Sequence, residues 1–342
     1  MIRIANWLLT RKCNLKCGYC AIVRDYENMP CMYPNVSYYI KNEMSTNVVL
    51  SVLDRLKQHN PNMFHIFYGG EPLLRRDLPT IINYCNDNDI EYTIISNNTK
   101  EIQPQIERLF DNVEEVKGFT SSVDPSFNLP GLTDDSVRKS AEAIYRLKDM
   151  AKKVRDVVAE ITVTSSNQKF LYQLVEQLSS YDICSDITFV DSAKNKYYDF
   201  SNVRDSTDLV YPSFELYKII LEISNNDKLL VHMKEDLLGQ AFVSLPSEFD
   251  CKLENNIHTI AIDADGTLRL CLRIRGLLTP KIHVLDIFDE ELLISTNVVN
   301  RIKTDKELLC QKCNHTCYMM SIITEKHSEK VADLVHKEKR YG

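Results

Sequence analysis

Apolar and polar positions follow two alternating periods along roughly the first 200 residues. Short apolar or alternating runs at 2–9, 64–68, 92–96, 116–123, 157–164 and 186–190 read as strands. Between them, 46–58, 77–87, 102–111, 134–152 and 168–180 repeat their apolar residues every three or four positions and read as helices. In 46–58, Val48, Val49, Val52, Leu53 and Leu56 share one side. Six strand–helix units in tandem predict an α/β protein, a parallel sheet with helices outside it. The period leaves open whether the sheet is flat or curled into part of a barrel. In both arrangements the loops leaving the strands' C-terminal ends gather on one face, where α/β proteins build their sites.

Beyond about residue 205 the alternation stops. "FELYKIILEIS" (214–224) reads as an amphipathic helix, and "IHTIAIDADGTLRLCLRI" (257–274) as two strands joined by an Asp-Gly turn. Helical patterns follow near 288–303 and 318–338. The chain therefore divides into 1–205, a helical linker at 206–250, and a smaller C-terminal α+β unit, hairpin plus helix, at 251–342.

The 342 residues are 44% hydrophobic and 26% charged, as in a soluble globular protein. No run approaches the ~18 apolar residues of a membrane helix, and the opening apolar stretch is too short for a signal peptide, which predicts a cytoplasmic protein with no membrane partner. A net charge of −7 argues against a broad nucleic-acid-binding surface, although the last stretch is locally basic.

Eleven cysteines, an odd number, do not suit a disulfide framework in a reducing compartment. Eight fall into two sets, Cys13, Cys17 and Cys20, and Cys251, Cys271, Cys310, Cys313 and Cys317; Cys31, Cys85 and Cys184 read as small core residues. Clustered thiols point to metal. The loop "RKCNLKCGYC" leaves the first strand at its C-terminal end and offers three thiolates at C-x3-C-x2-C spacing. A structural zinc site wants four ligands and the loop has no fourth, whereas an iron–sulfur cluster on three thiolates leaves one iron open for another molecule.

With aromatic Tyr19 before the third cysteine, this loop resembles the C-x3-C-x-aromatic-C motif of the radical S-adenosylmethionine (SAM) superfamily. "YGGEP" (68–72), directly after the second strand, resembles the family's Gly-Gly-Glu-Pro. Glycines admit a close backbone approach and a carboxylate can pair with an ammonium. The resemblance implies a partial (β/α)6 TIM-like barrel and a [4Fe–4S] cluster on Cys13, Cys17 and Cys20 whose open iron is chelated by SAM. It implies SAM contacts at Tyr19, Gly69, Gly70, Glu71 and Pro72, with Glu71 near the amino group. "SSVD" (121–124) is similar to the family's Ser-x-Asp element, which makes Ser122 a further candidate. Asn97 in "SNN" and Asn167 in "TSSN" end the third and fifth strands and are candidates of the same kind, or helix caps.

The spacing Cys251-x14-Gly266-x4-Cys271 followed by Cys310-x2-Cys313-x3-Cys317 resembles a shortened form of the SPASM and twitch domains that hold auxiliary [4Fe–4S] clusters. Five thiols complete one cluster, assigned to Cys251, Cys271, Cys310 and Cys313, with Cys317 as the spare or a replacement; zinc stays open for four thiolates. The implied activity is reductive cleavage of SAM to a 5′-deoxyadenosyl radical that takes a hydrogen from substrate, with the auxiliary cluster assisting electron transfer. A reduced flavodoxin- or ferredoxin-type donor would supply electrons. Only twelve residues precede Cys13, and Leu272 stands where sulfatase-maturating relatives carry an acidic base, so a small-molecule, sugar or nucleotide substrate is expected before a peptide or protein side chain. An electron-transfer module leaves "GGEP" unexplained, and a zinc-stabilised binding protein leaves the three-cysteine loop unexplained.

Overall fold

The structure is a computed structural model that describes residues 3–15, 41–123, 134–163, 167–189, 214–232, 234, 237, 259–269 and 284. Of the candidate residues, Cys17, Tyr19, Cys20, Cys251, Cys271, Cys310, Cys313 and Cys317 lie outside this set, as do the helical patterns at 288–303 and 318–338.

Six strand–helix units are present much as the periodicity predicts. The strands are β1 (Ile4–Thr10), β2 (Phe64–Gly69), β3 (Glu91–Ser96), β4 (Val116–Ser122), β5 (Val154–Val163) and β6 (Cys184–Phe189). The helices are α1 (Thr46–His59), α2 (Leu78–Asp87), α3 (Gln103–Asn112), α4 (Asp134–Met150), α5 (Leu171–Ser179) and α6 (Phe214–Asn225). Pro79 and Pro104 sit in the first turns of α2 and α3, where a missing N–H costs no helical hydrogen bond. Asp89 and Asp182, at φ of 49° and 59°, close α2 and α5 in the left-handed conformation. The amides that directly follow these aspartates then reach back, Ile90 to Cys85 O at 2.8 Å and Ile183 to Leu178 O at 3.1 Å. Each chain reversal thus delivers an isoleucine at the start of β3 or β6.

The sheet order is β6-β5-β4-β3-β2-β1-β7-β8, where β7 is Thr259–Ile262 and β8 is Leu268–Arg269. Strands β1 to β7 are parallel and β8 is antiparallel to β7. This is the α/β partial barrel expected, with helices on the outer face. Ala5, Trp7 and Leu9 of β1 pack with Val49, Val52, Leu53 and Leu56 of α1 and Ile81 and Ile82 of α2. Ala159, Ile161 and Val163 of β5 pack with residues of α4, α5 and α6 in a second cluster. Cys85 is in the first core, where burial pushes its thiol up to about 12, consistent with an inert side chain.

Two differences from the sequence reading have physical causes. β5 begins three residues earlier than the apolar run, because Arg155 and Asp156, polar enough to read as a loop, form an ion network with Glu91 on β3. The hairpin placed in the C-terminal unit at 251–342 joins the main sheet: Ile4, Ala5, Asn6 and Trp7 are in parallel register with Thr259, Ile260, Ala261 and Ile262. Ile260 and Ile262 bury themselves beside Trp7, so their apolar sides complete the barrel's core. No helix among the described residues is long and apolar enough to cross a membrane.

Candidate functional site

The site forms where β1, β2 and β3 end. From β1 the chain continues through Arg11 and Lys12 into Cys13, and the loop after β2 is laid against it. The Gly70 amide donates to Thr10 O at 2.8 Å and the Glu71 amide to Lys12 O at 2.7 Å. Such closeness excludes side chains: a Cβ on Gly69 would stand 2.3 Å from Thr10 O, and one on Gly70 2.2 Å from Lys12 O. Gly69 also has φ of 152°, which other residues adopt only under strain. The two glycines therefore dock the second loop onto the root of the cysteine loop. Pro72 then opens a buried 3-10 turn, Pro72–Leu74.

Glu71 is fully buried, and its carboxylate serves the fold. Oε1 accepts from the Leu73 amide at 3.1 Å and Oε2 from the Asn97 amide at 2.9 Å. Burial pushes its pKa up to about 7, against these hydrogen bonds and one from Ser96, which favour the ionised form. The carboxylate thereby fixes Asn97 at the end of β3. Asn97 Nδ2 donates to Asn14 Oδ1 at 2.8 Å and faces Cys13 Sγ at 3.9 Å. Asn14 in turn donates to Thr99 Oγ1 at 3.0 Å, and the Leu15 amide points at Cys13 Sγ from 3.3 Å.

Two N–H donors aimed at one half-buried sulfur suit a thiolate, the form in which cysteine ligates a metal. The surroundings of Cys13 thus fit an iron–sulfur ligand. Ser122, half-buried, ends β4 and is paired in register with Glu160. Asn167, only 2% exposed, donates from Nδ2 to Thr162 O at 2.7 Å and closes the end of β5. The structure gathers Cys13, Gly69, Gly70, Glu71, Pro72 and Asn97 into one hydrogen-bonded group, sets Ser122 on the next strand, and turns the Asn167 amide back on its own strand.

Several supporting residues escape sequence reasoning. Arg11, 3% exposed, grips the fully buried Asp263 with two hydrogen bonds, Nε to Oδ1 at 3.0 Å and Nη2 to Oδ2 at 2.6 Å. Its partner is 252 residues away, so no local pattern announces the pair. Asp263 Oδ1 also accepts from the Ala264 amide at 2.8 Å, and Ala264 O accepts from the Met44 amide at 2.7 Å. Arg75 clasps the loops from behind, donating to Leu9 O at 2.9 Å and Met44 O at 2.7 Å. An arginine three residues past "GGEP" is the nearest thing to a signal.

These features define a class: a parallel partial barrel whose first loop presents a metal-competent thiol at the strands' C-terminal ends, held by a diglycine loop. Residues 7–166 match the family model of the Radical SAM superfamily. Among curated proteins, the chain is similar to the Fe-coproporphyrin III synthase of Methanosarcina barkeri, 33% identical over 97 residues, 28% of this chain and 21% of that protein. It is similar also to the S-adenosylmethionine-dependent nucleotide dehydratase of Selenomonas ruminantium, 27% identical over 122 residues, 35% of this chain and 39% of that one. These relatives are enzymes, and the matches span less than half of their lengths. Among solved structures, Streptococcus suis SuiB bound to S-adenosylmethionine has the same fold, with a TM-score of 0.58 at 14% identity over 89% of this chain and 68% of SuiB.

Proposed function

We propose that the chain is a radical SAM enzyme acting on a small-molecule, sugar or nucleotide substrate. The observation that carries this reading is the seating of Gly69 and Gly70 on the backbone of the cysteine loop, which joins the two motifs into one site. Cys13, Cys17 and Cys20 would hold a [4Fe–4S] cluster, which when bound supplies the electron for reductive cleavage of SAM. The chain's own part is positioning. Asn97 and the Leu15 amide stabilise a thiolate at Cys13, and Glu71 holds Asn97 in place. Ser122, half-buried at the end of the neighbouring strand, is available to a bound SAM, as the resemblance of "SSVD" suggests. Glu71 acts on SAM through the backbone it fixes, since both its oxygens are already hydrogen-bonded within the protein. A second cluster on Cys251, Cys271, Cys310 and Cys313 would assist electron transfer, with Cys317 in reserve. The name of the Selenomonas relative supports a small-molecule substrate.

The test is anaerobic reconstitution followed by iron analysis and an assay for 5′-deoxyadenosine with a chemical reductant. About eight iron atoms per chain are expected, from two four-iron clusters. Replacing Cys13, Cys17 and Cys20 together by Ala should abolish 5′-deoxyadenosine formation. A colourless protein, or one in which the triple variant still cleaves SAM, overturns the reading.

A further inference from the structure

Asn97 is held by more bonds than a simple loop contact needs. Its backbone is fixed on both sides: its amide donates to Glu71 Oε2 at 2.9 Å, and the residue after it, Asn98, is fully buried in the left-handed conformation with φ of 45°. Asparagine is one of the few side chains that adopt this conformation readily. The Asn98 amide donates back to Ser96 Oγ at 3.1 Å, and its carbonyl accepts from Arg146 Nε on α4 at 3.1 Å. This locked turn aims the Asn97 side chain at the cysteine loop.

Chemistry dictates which way round that side chain sits. A backbone N–H can only donate, and the Thr99 amide lies 3.1 Å from one end of the Asn97 amide group, so that end is the oxygen. The other end is Nδ2, 2.8 Å from Asn14 Oδ1 and 3.9 Å from Cys13 Sγ. Asn14 is oriented by the same logic, since its own Nδ2 donates to Thr99 Oγ1 at 3.0 Å and leaves its oxygen for Asn97. Each N–H of Asn97 Nδ2 therefore has an acceptor within the protein, one of them the sulfur that the Leu15 amide also approaches at 3.3 Å. Hydrogen bonds to the sulfurs are among the factors that set the potential of an iron–sulfur centre. An electron added to such a centre increases the negative charge on its sulfurs, so N–H donors favour the reduced form over the oxidised one.

We propose that Asn97 is a redox-positioning residue and not a SAM contact: its N–H toward Cys13 Sγ raises the reduction potential of a cluster held by Cys13, so that a one-electron reductant of the ferredoxin or flavodoxin class fills it more readily. The proposal rests on the reading of the chain as a SAM-cleaving enzyme, and adds to that reading the residue that sets how easily the first electron enters.

The test is an anaerobic titration of the full-length, reconstituted protein with dithionite and redox mediators, followed by electron paramagnetic resonance; the signal read is the one that Cys13→Ala abolishes. Asn97→Ala removes the N–H donor and spares the bond to Glu71, which the backbone makes. It should lower the reduced-to-oxidised ratio at a fixed potential about tenfold, a shift of ~59 mV for a one-electron couple. Asn97→Asp, isosteric but with an oxygen facing the sulfur, should lower it further. Asn14→Ala, which removes the loop's bond to Asn97 and keeps Nδ2, should shift it much less. An unchanged potential in Asn97→Ala overturns the proposal, as does an equal shift in Asn14→Ala, which would make loop placement the cause. Failure of both Asn97 variants to hold a cluster also overturns it, by assigning the residue to assembly. So does a loss of SAM affinity in Asn97→Ala, by equilibrium dialysis, at unchanged potential, which would make Asn97 a SAM contact. SAM cleavage by the wild type is measured on the same samples. If it is absent while the Asn97-dependent shift persists, the enzyme reading falls and the redox role of Asn97 stands.

Discussion

Removing one partner of the Arg11–Asp263 pair should cost far more than removing both. The guanidinium and carboxylate are 3% and 0% exposed, with contacts of 2.6 and 3.0 Å, so neither can be solvated when the other is lost. A broken buried pair typically costs about 3–5 kcal/mol, and isosteric removal of both charges costs much less. Asp263→Asn and Arg11→Gln should therefore each lower the unfolding free energy by about 3–5 kcal/mol, a loss of roughly two to three and a half decades in the folding constant. The double variant should lose less than the sum, leaving a coupling of about 2 kcal/mol or more. Urea titrations followed by circular dichroism, run as a double-mutant cycle, give these numbers directly. Single-variant losses below about 1 kcal/mol, the value of an exposed pair, or strict additivity would refute the account of a dry, bidentate clamp.

Further outcomes follow from the same geometry. Gly70→Ala should displace the cysteine loop, because its Cβ would stand 2.2 Å from Lys12 O; iron bound after reconstitution should fall several-fold while far-UV circular dichroism stays native, and full iron content would show the close approach to be dispensable. Glu71, with a folded pKa of about 7 against an ordinary 4.5, binds its proton more tightly when folded. It contributes its full stabilisation below about pH 4.5, loses roughly 3 kcal/mol as pH rises through 7, and is flat above; Glu71→Gln should abolish that slope in a wild-type-minus-variant comparison of urea midpoints. His65 has the opposite sign. Buried beside Trp7, whose Nε1 donates to its Nδ1 at 3.0 Å, it is held neutral with a pKa near 3, so its contribution is lost as pH falls from about 6.5 toward 3, and His65→Gln should flatten that limb. Replacing Cys310 and Cys313, the ligands proposed for a second cluster, should leave slow, substrate-independent 5′-deoxyadenosine formation and stop product; normal turnover by a folded variant would refute the proposed electron-transfer role.

Sequence periodicity captured the layered α/β plan because Trp7, Val52, Ile82 and Ile161 obey the local rules that bury one face of each element. It misplaced the start of β5 because the charges of Arg155 and Asp156 find partners across strands, which a linear pattern does not register. It set the hairpin apart because parallel pairing with β1 is a long-range event between segments whose local patterns are complete without it. The motifs singled out Cys13, Gly69, Gly70 and Glu71 as candidates, and what the glycines and the acid touch emerges only from their distances to Thr10, Lys12, Leu73 and Asn97. Arg11 and Asp263 were illegible, each being an unremarked charge next to a motif.

The placement of β7 also sets an order of events during synthesis. β1 leaves the ribosome well before β7, so one of its edges stays unpaired until residues 259–262 follow, and Arg11 must wait for Asp263, 252 residues later. At ~5–20 residues per second, that interval is roughly 13–50 s. For that time Arg11 and the neighbouring edge of β1 have no partner from the hairpin, an arrangement that exposes a strand edge to non-native pairing. A nascent chain arrested before residue 259 therefore lacks the strand and the carboxylate that brace Arg11, next to the loop that carries Cys13.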